Sequence, residues 1–143
     1  MDNVMKILSV DLGVARTGLA VCDSAERLAS PVGTITQRDR EILMKQVAAK
    51  AEELQVKALV VGHPRNMDGT RGDSARQAEE FAAWLREKTG LPVTLWDERL
   101  TTVSAIGYLN QTDTRGKKRK QVVDTVSAVI ILQDYLDSRR RGQ

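Results

Sequence analysis

The chain has 143 residues, a net charge of +3 and a pI near 9.2, with 41% apolar, 29% charged and 3% aromatic side chains. That length buries an aliphatic core without staples, and a single cysteine (Cys22) and a single histidine (His63) exclude an internal disulfide and a zinc cage. The longest unbroken apolar run, Ala128 to Leu132, is far short of the ~20 residues a bilayer needs, and Asp11 ends the first apolar run too early for a secretory leader, so a cytoplasmic location is expected.

Lys6 to Asp11 predicts a short buried strand, and Gly18 to Cys22 a second one joined to it by the turn from Gly13 to Thr17. Pro31 to Thr36 is a weaker third strand. From about Asp39, apolar residues recur at Leu43, Val47, Ala51 and Leu54 with helical spacing. Ala58 to Val61 is a buried strand ended by Gly62 and Pro64, and residues 65–73 are turn chemistry. Ser74 with Gln77 reads as a capping box opening a helix through Ala78, Phe81, Ala82 and Leu85, stopped by Gly90 and Pro92. Val93 to Trp96 is the fifth strand. Thr101 or Thr102 then caps a helix to about Asn110, a basic loop follows, and a last helix runs from about Val122 to Leu136. Three early strands followed by alternating units predict a mixed sheet covered by helices, in one domain spanning residues 1–143.

Positive charge is concentrated. Arg115, Lys117, Lys118, Arg119 and Lys120 form one cluster, and Arg139, Arg140 and Arg141 close the chain; without these eight, 14 basic residues remain against 19 acidic. A solvated loop and tail would look the same, but such clusters also suit a phosphate backbone. Three acidic positions lie where elements begin or end: Asp11 after the first strand, the Asp97-Glu98 pair after the fifth, and Asp124 on a largely apolar helix. The plain alternatives are a turn hydrogen bond for Asp11, a surface turn for Asp97-Glu98, and the favourable first turn of a helix for Asp124. Three carboxylates from separate elements, brought together, would instead bind Mg²⁺ or Mn²⁺, hard ions that prefer oxygen.

The segments DLGVARTGLA (11–20), VGHP (61–64) with NMDG (66–69), WDERLTT (96–102), and Val123-Asp124 leading to Ile131–Leu136 resemble, in order and over nearly the whole chain, the YqgF family of pre-16S rRNA nucleases, also described as Holliday-junction-resolvase-like. The resemblance implies an α/β, RNase H-like fold with a five-stranded mixed sheet flanked by α-helices. It also implies a role in trimming the 5′ end of 16S rRNA precursor. Carried over residue by residue, it makes Asp11, Glu98 and Asp124 the catalytic, metal-binding acids. Adjacent residues on a strand point to opposite faces, so Glu98 is preferred over Asp97, which is kept as the additional acid.

Other residues take expected roles from their chemistry. Arg16, Asn66, Arg71, Arg99, Lys117, Lys118, Arg119 and Lys120 are expected to bind nucleic acid. His63 could help a leaving group but is more simply an incidental loop residue; Trp84 and Trp96 read as packing residues. The expected partner is nucleic acid, precursor rRNA ahead of branched DNA, with ribosomal association, no membrane, and a monomer or weak dimer. A resolvase shares the chemistry but requires two sites in a dimer. A non-catalytic nucleic-acid-binding module would explain the basic cluster but not the carboxylates, which repel phosphate without metal. The Asp11-x-Gly13 pattern also resembles the first phosphate motif of actin-like kinases, which enclose nucleotide between two lobes.

Overall fold

Five strands, β1 (Ile7–Asp11), β2 (Arg16–Cys22), β3 (Ala29–Thr36), β4 (Ala58–His63) and β5 (Val93–Asp97), form one sheet in the spatial order β3-β2-β1-β4-β5. The computed structural model describes residues 6–23, 28–64, 72–97 and 116–140, with side chains in the last segment from 126 to 139. β1, β2 and β3 pair antiparallel, whereas β1, β4 and β5 run parallel, so the sheet is mixed as the element order predicts. A bulge between Leu19 and Ala20 shifts the β2–β3 register, and Gly33 there takes a φ of 143° that suits glycine.

Helices α1 (Arg40–Glu53) and α2 (Asp73–Thr89) cover one face. Alternation along the strands sends Leu8, Val10, Leu19, Leu59, Val61 and Val93 to that face, where they meet Leu43, Val47 and Ala51 of α1 and Phe81, Ala82 and Leu85 of α2. Helix α3 (Gly116–Arg140) covers the other, packing Ala128, Ile131, Leu132 and Leu136 against Ile7, Ala20, Cys22, Ala58 and Val60. Ser9 is also buried on this face, and its hydroxyl donates to the Ala128 carbonyl at 2.7 Å.

Asp39 caps α1, its carboxylate accepting from the Ile42 amide at 3.0 Å. Two local expectations change. The N-cap of α2 is Gly72 rather than Ser74, with no side-chain bond, so Ser74 lies inside the first turn and no capping box forms. The segment from 116 to 120, read as a basic loop, is the opening of α3. Lys, Arg and Gln are good helix formers, and no Gly or Pro interrupts the chain between Lys117 and Arg140. The expected helix over 101–110 lies outside the described residues.

Candidate functional site

Because β1, β4 and β5 are parallel, their last residues emerge at the same edge of the sheet, where sites in such folds are usually assembled. Asp11 ends β1, His63 ends β4 and Asp97 ends β5. β2 begins and β3 ends at this edge too, with Arg16 opposite Thr36.

Strand parity decides which of these side chains share a surface. Ile7 and Ser9 lie on the α3 face, so Asp11 does as well. Its partner across the ladder is Gly18 of β2. On the other side the register Val10↔Val61 brings Gly62 of β4 level with Asp11, and Gly62 pairs in turn with Trp96 of β5. A cross-strand row therefore reads Gly18, Asp11, Gly62, Trp96, all on the α3 face. Asp11 is flanked in this row by two glycines, and its carboxylate is the hard oxygen donor that Mg²⁺ or Mn²⁺ prefers.

The turn after Asp11 is tight. A Cβ at Gly13 would collide with the Arg16 carbonyl oxygen, so this position requires glycine for close backbone approach. The Gly13 amide donates to the buried Thr17 hydroxyl at 3.4 Å, and its carbonyl accepts from Arg40 at 3.2 Å. A second arm of the Arg40 guanidinium reaches Gln77 of α2 at 3.1 Å, tying the turn to both helices of the opposite face. Arg16, half-buried, shares the α3-side parity of Gly18 and stands just beyond Asp11 at the edge.

Asp97 has the opposite parity. It follows Trp96 and pairs with His63, on the side of α1 and α2. His63 Nε2 is held 2.7 Å from Glu79 Oε2 of α2, and its side chain is 13% exposed. His63, read as an incidental loop residue, is instead the last residue of β4, bound to a carboxylate on the face away from Asp11. Its partner Glu79 had no signal in the sequence beyond its place on the second turn of a helix.

Two contacts fix the direction of α3. Gln133 Oε1 accepts from the Ala29 amide at 3.0 Å, level with Cys22 and Ile7 at the amino end of β1. Ala128 is bonded to Ser9, further along β1. Going backwards along α3 therefore leads toward Asp11. One turn before Ala128 is Asp124, about 6 Å along the helix axis, and two residues after Ser9 is Asp11, roughly 6.7 Å along the strand. Asp124 is the ninth residue of α3, which removes the alternative of a first-turn acid favoured by the helix dipole.

Glu98, Asn66, Arg71 and Arg99 lie outside the described residues, as do the side chains of Asp124, Lys117, Lys118, Arg119 and Lys120. Asp11 is thus the one member of the expected acidic trio whose side chain is described, and among the described residues no three metal-binding side chains come together. Trp96, expected to be a packing residue, does meet Tyr135 of α3 edge-on at 5.8 Å. Its indole Nε1 is nonetheless buried without a hydrogen-bond partner, which composition gave no means of anticipating. No helix among the described residues is long and apolar enough to cross a membrane.

Comparison with known proteins agrees with this architecture. The chain is 43% identical over 140 residues to a protein of Lachnospira eligens named "Putative pre-16S rRNA nuclease", covering 96% of this chain and all of that one. A protein of the same name from Geobacillus kaustophilus is 45% identical over 139 residues, covering 95% of this chain and all of that one. Among solved structures, Thermus thermophilus RuvC in complex with a Holliday junction superposes with a TM-score of 0.64 at 12% identity, over 96% of each chain. The fowlpox virus resolvase in complex with a Holliday junction gives 0.60 at 12% identity, over 94% of this chain and 99% of that one. These likenesses establish an RNase H-like fold. The model of the RuvX family, described as Holliday junction resolvase, matches residues 5–138, and the chain belongs to that family.

Proposed function

We propose that this protein is a metal-dependent nuclease that hydrolyses phosphodiester bonds and trims the 5′ end of 16S rRNA precursor in the cytoplasm. The observation that carries the reading is the placement of Asp11 between two glycines, on the face toward which the early turns of α3 lead. Residues four apart share one side of a helix, so we assign Asp124, with Asp11, to the metal-binding acids on the α3 face. By alternation past Asp97, Glu98 is the neighbour assigned to Asp11's face, and Asp97 is not needed as a ligand.

Asp11, Glu98 and Asp124 would hold Mg²⁺ or Mn²⁺. The ion supplies an activated water at neutral pH and stabilises charge on the phosphate. The chain does the positioning. The β1–β2 turn, held by Arg40, fixes Asp11 and holds Arg16 at the same edge and on the same face, where its guanidinium is assigned to a phosphate oxygen. Lys117, Lys118, Arg119 and Lys120, on the opening of α3, grip the backbone without regard to sequence, with Asn66, Arg71 and Arg99 as further donors. RNA is favoured by the names of the full-length relatives. Holliday junction resolution is the second reading, favoured by the family description and by the likeness to two resolvases. It requires two copies to present paired sites, whereas RNA trimming is served by a monomer or weak dimer, with ribosomal association at the substrate.

The test uses the full chain and its Asp11→Asn variant with Mn²⁺ or Mg²⁺ and two labelled substrates, a 16S precursor 5′ leader and a four-way DNA junction. Metal-dependent cutting of the RNA that vanishes in the variant is the expected result. Symmetric cutting of the junction alone would transfer the assignment to resolution. Salt-sensitive binding of both without cutting would make the protein a non-catalytic binding module.

A further inference from the structure

Near its opening, α2 makes two polar contacts that its packing does not require. Ala78 is buried in the core with Phe81 and Leu85. At about 100° per residue, Gln77 and Glu79 stand on opposite flanks of that buried seam. On one flank Gln77 Oε1 accepts from Arg40 of α1 at 3.1 Å. On the other, Glu79 Oε2 is held 2.7 Å from His63 Nε2 of β4. Arg40 is the first residue of α1, where the helix dipole disfavours a cation, so it is not there to stabilise its own helix. Its two acceptors are a carbonyl and an amide oxygen, not a carboxylate.

Both contacts end at the edge that carries Asp11. The other arm of Arg40 holds the Gly13 carbonyl at 3.2 Å, two residues after Asp11, in the turn whose backbone leaves no room for a Cβ. His63 ends β4, and β4 pairs with β1 on one side. On its other side His63 itself pairs with Asp97 of β5, the residue before Glu98. The ends of β1, β4 and β5 are therefore all tied, directly or across one ladder, to the first turns of α2. Acids that leave separate strands and share one ion must be held to within about 0.5 Å by the groups behind them.

Building on the metal-dependent reading above, we propose that α2 sets the spacing of these strand ends through two clasps, Gln77–Arg40–Gly13 and Glu79–His63, and that Gln77, Arg40, Glu79 and His63 are positioning residues for the cutting reaction. They act from the side of α1 and α2, fixing where the acids stand without touching the ion or the phosphate.

The experiment measures kcat and KM for cutting of the labelled 16S precursor 5′ leader at saturating Mn²⁺, with Tm, for the full chain and its Gln77→Ala, Gln77→Glu, Glu79→Ala and Glu79→Gln variants. Gln77 is exposed on a helix and alanine favours helix, so Gln77→Ala should keep the parent's Tm or exceed it. It should still lose about tenfold or more in kcat with KM unchanged, because a misplacement of ~1 Å from a distant change can cost ~10²-fold. Gln77→Glu keeps an oxygen for Arg40 and should restore the parent's kcat. Glu79→Ala should lose kcat likewise, and Glu79→Gln, whose amide can bond to His63 Nε2 in either tautomer, should recover it. Parent-like kcat in either alanine variant overturns the inference. So does a raised KM at unchanged kcat, which would make these residues substrate contacts, and so does a loss that the conservative variants share or that follows a lowered Tm in Gln77→Ala. A parent that does not cut with Mn²⁺ would instead overturn the metal-dependent reading itself, and the inference with it.

Discussion

The two faces of the one sheet are built to different ends. On the face of α1 and α2, large aliphatic residues and Phe81 continue from edge to edge, and the few polar groups at its rim are bonded to one another, as His63 is to Glu79. On the face of α3 the side chains change along the strand. They are apolar at the amino end, around Ile7, Cys22 and Ala58, then small and polar at Ser9 and Ala20, then glycine and aspartate at the carboxyl edge. The first face is where packing dominates stability; the second ends in glycine and a carboxylate at the edge that carries Asp11. Two aspartates at the same edge, Asp11 and Asp97, belong to different faces for no reason other than strand parity.

That contrast is broken most severely in the filled face. Phe81→Ala should cost about 3–5 kcal/mol, since the ring is fully buried and its neighbours collapse only partly into the gap. Urea unfolding checks this, and a loss under about 1 kcal/mol would deny that this face dominates stability. The α3 face should respond less. Ser9→Ala removes the bond to the Ala128 carbonyl and should cost about 1–2 kcal/mol, and by letting α3 shift it should also lower cutting. The smallest effect is a gain. Gln55 follows α1 with φ of 57°, a left-handed conformation suited to glycine; its own amide donates to the Glu52 carbonyl and the next amide, Val56, to the Ala51 carbonyl. Gln55→Gly should stabilise by about 1 kcal/mol and leave cutting unchanged, because it lies at the amino edge, remote from Asp11.

Much of this was legible in the sequence because its signals are local. Five apolar runs gave the strands, the spacing of Leu43, Val47 and Ala51 gave α1, and Gly90 followed by Pro92 gave the end of α2. The opening of α3 was hidden by its own charge: a run of lysine and arginine carries no apolar period, although those residues favour helix. The cap of α2 was misplaced because Ser74 fits the capping pattern, while the chain enters the helix two residues earlier, at Gly72. Of the site, the acids at element ends could be named from the sequence. Which face each takes could not, because it depends on register, which puts Asp11 on the α3 face and Asp97 on the other. The pair of His63 and Glu79 joins residues 16 apart on a strand and a helix, a distance no sequence pattern reports.

The central claim is that the face, and not mere proximity to the edge, decides which acid works. Asp97 and Glu98 are adjacent in the chain, so comparing them isolates parity from position. The decisive measurement is the rate of metal-dependent cutting of the labelled 16S precursor leader by Asp97→Asn and Glu98→Gln, side by side at saturating Mn²⁺. The account predicts a loss on the order of 10²–10³-fold for Glu98→Gln, the scale of removing one electrostatic stabiliser of the transition state, with Asp97→Asn staying within about tenfold of the parent. The reverse pattern would contradict it and move the site to the face of α1 and α2.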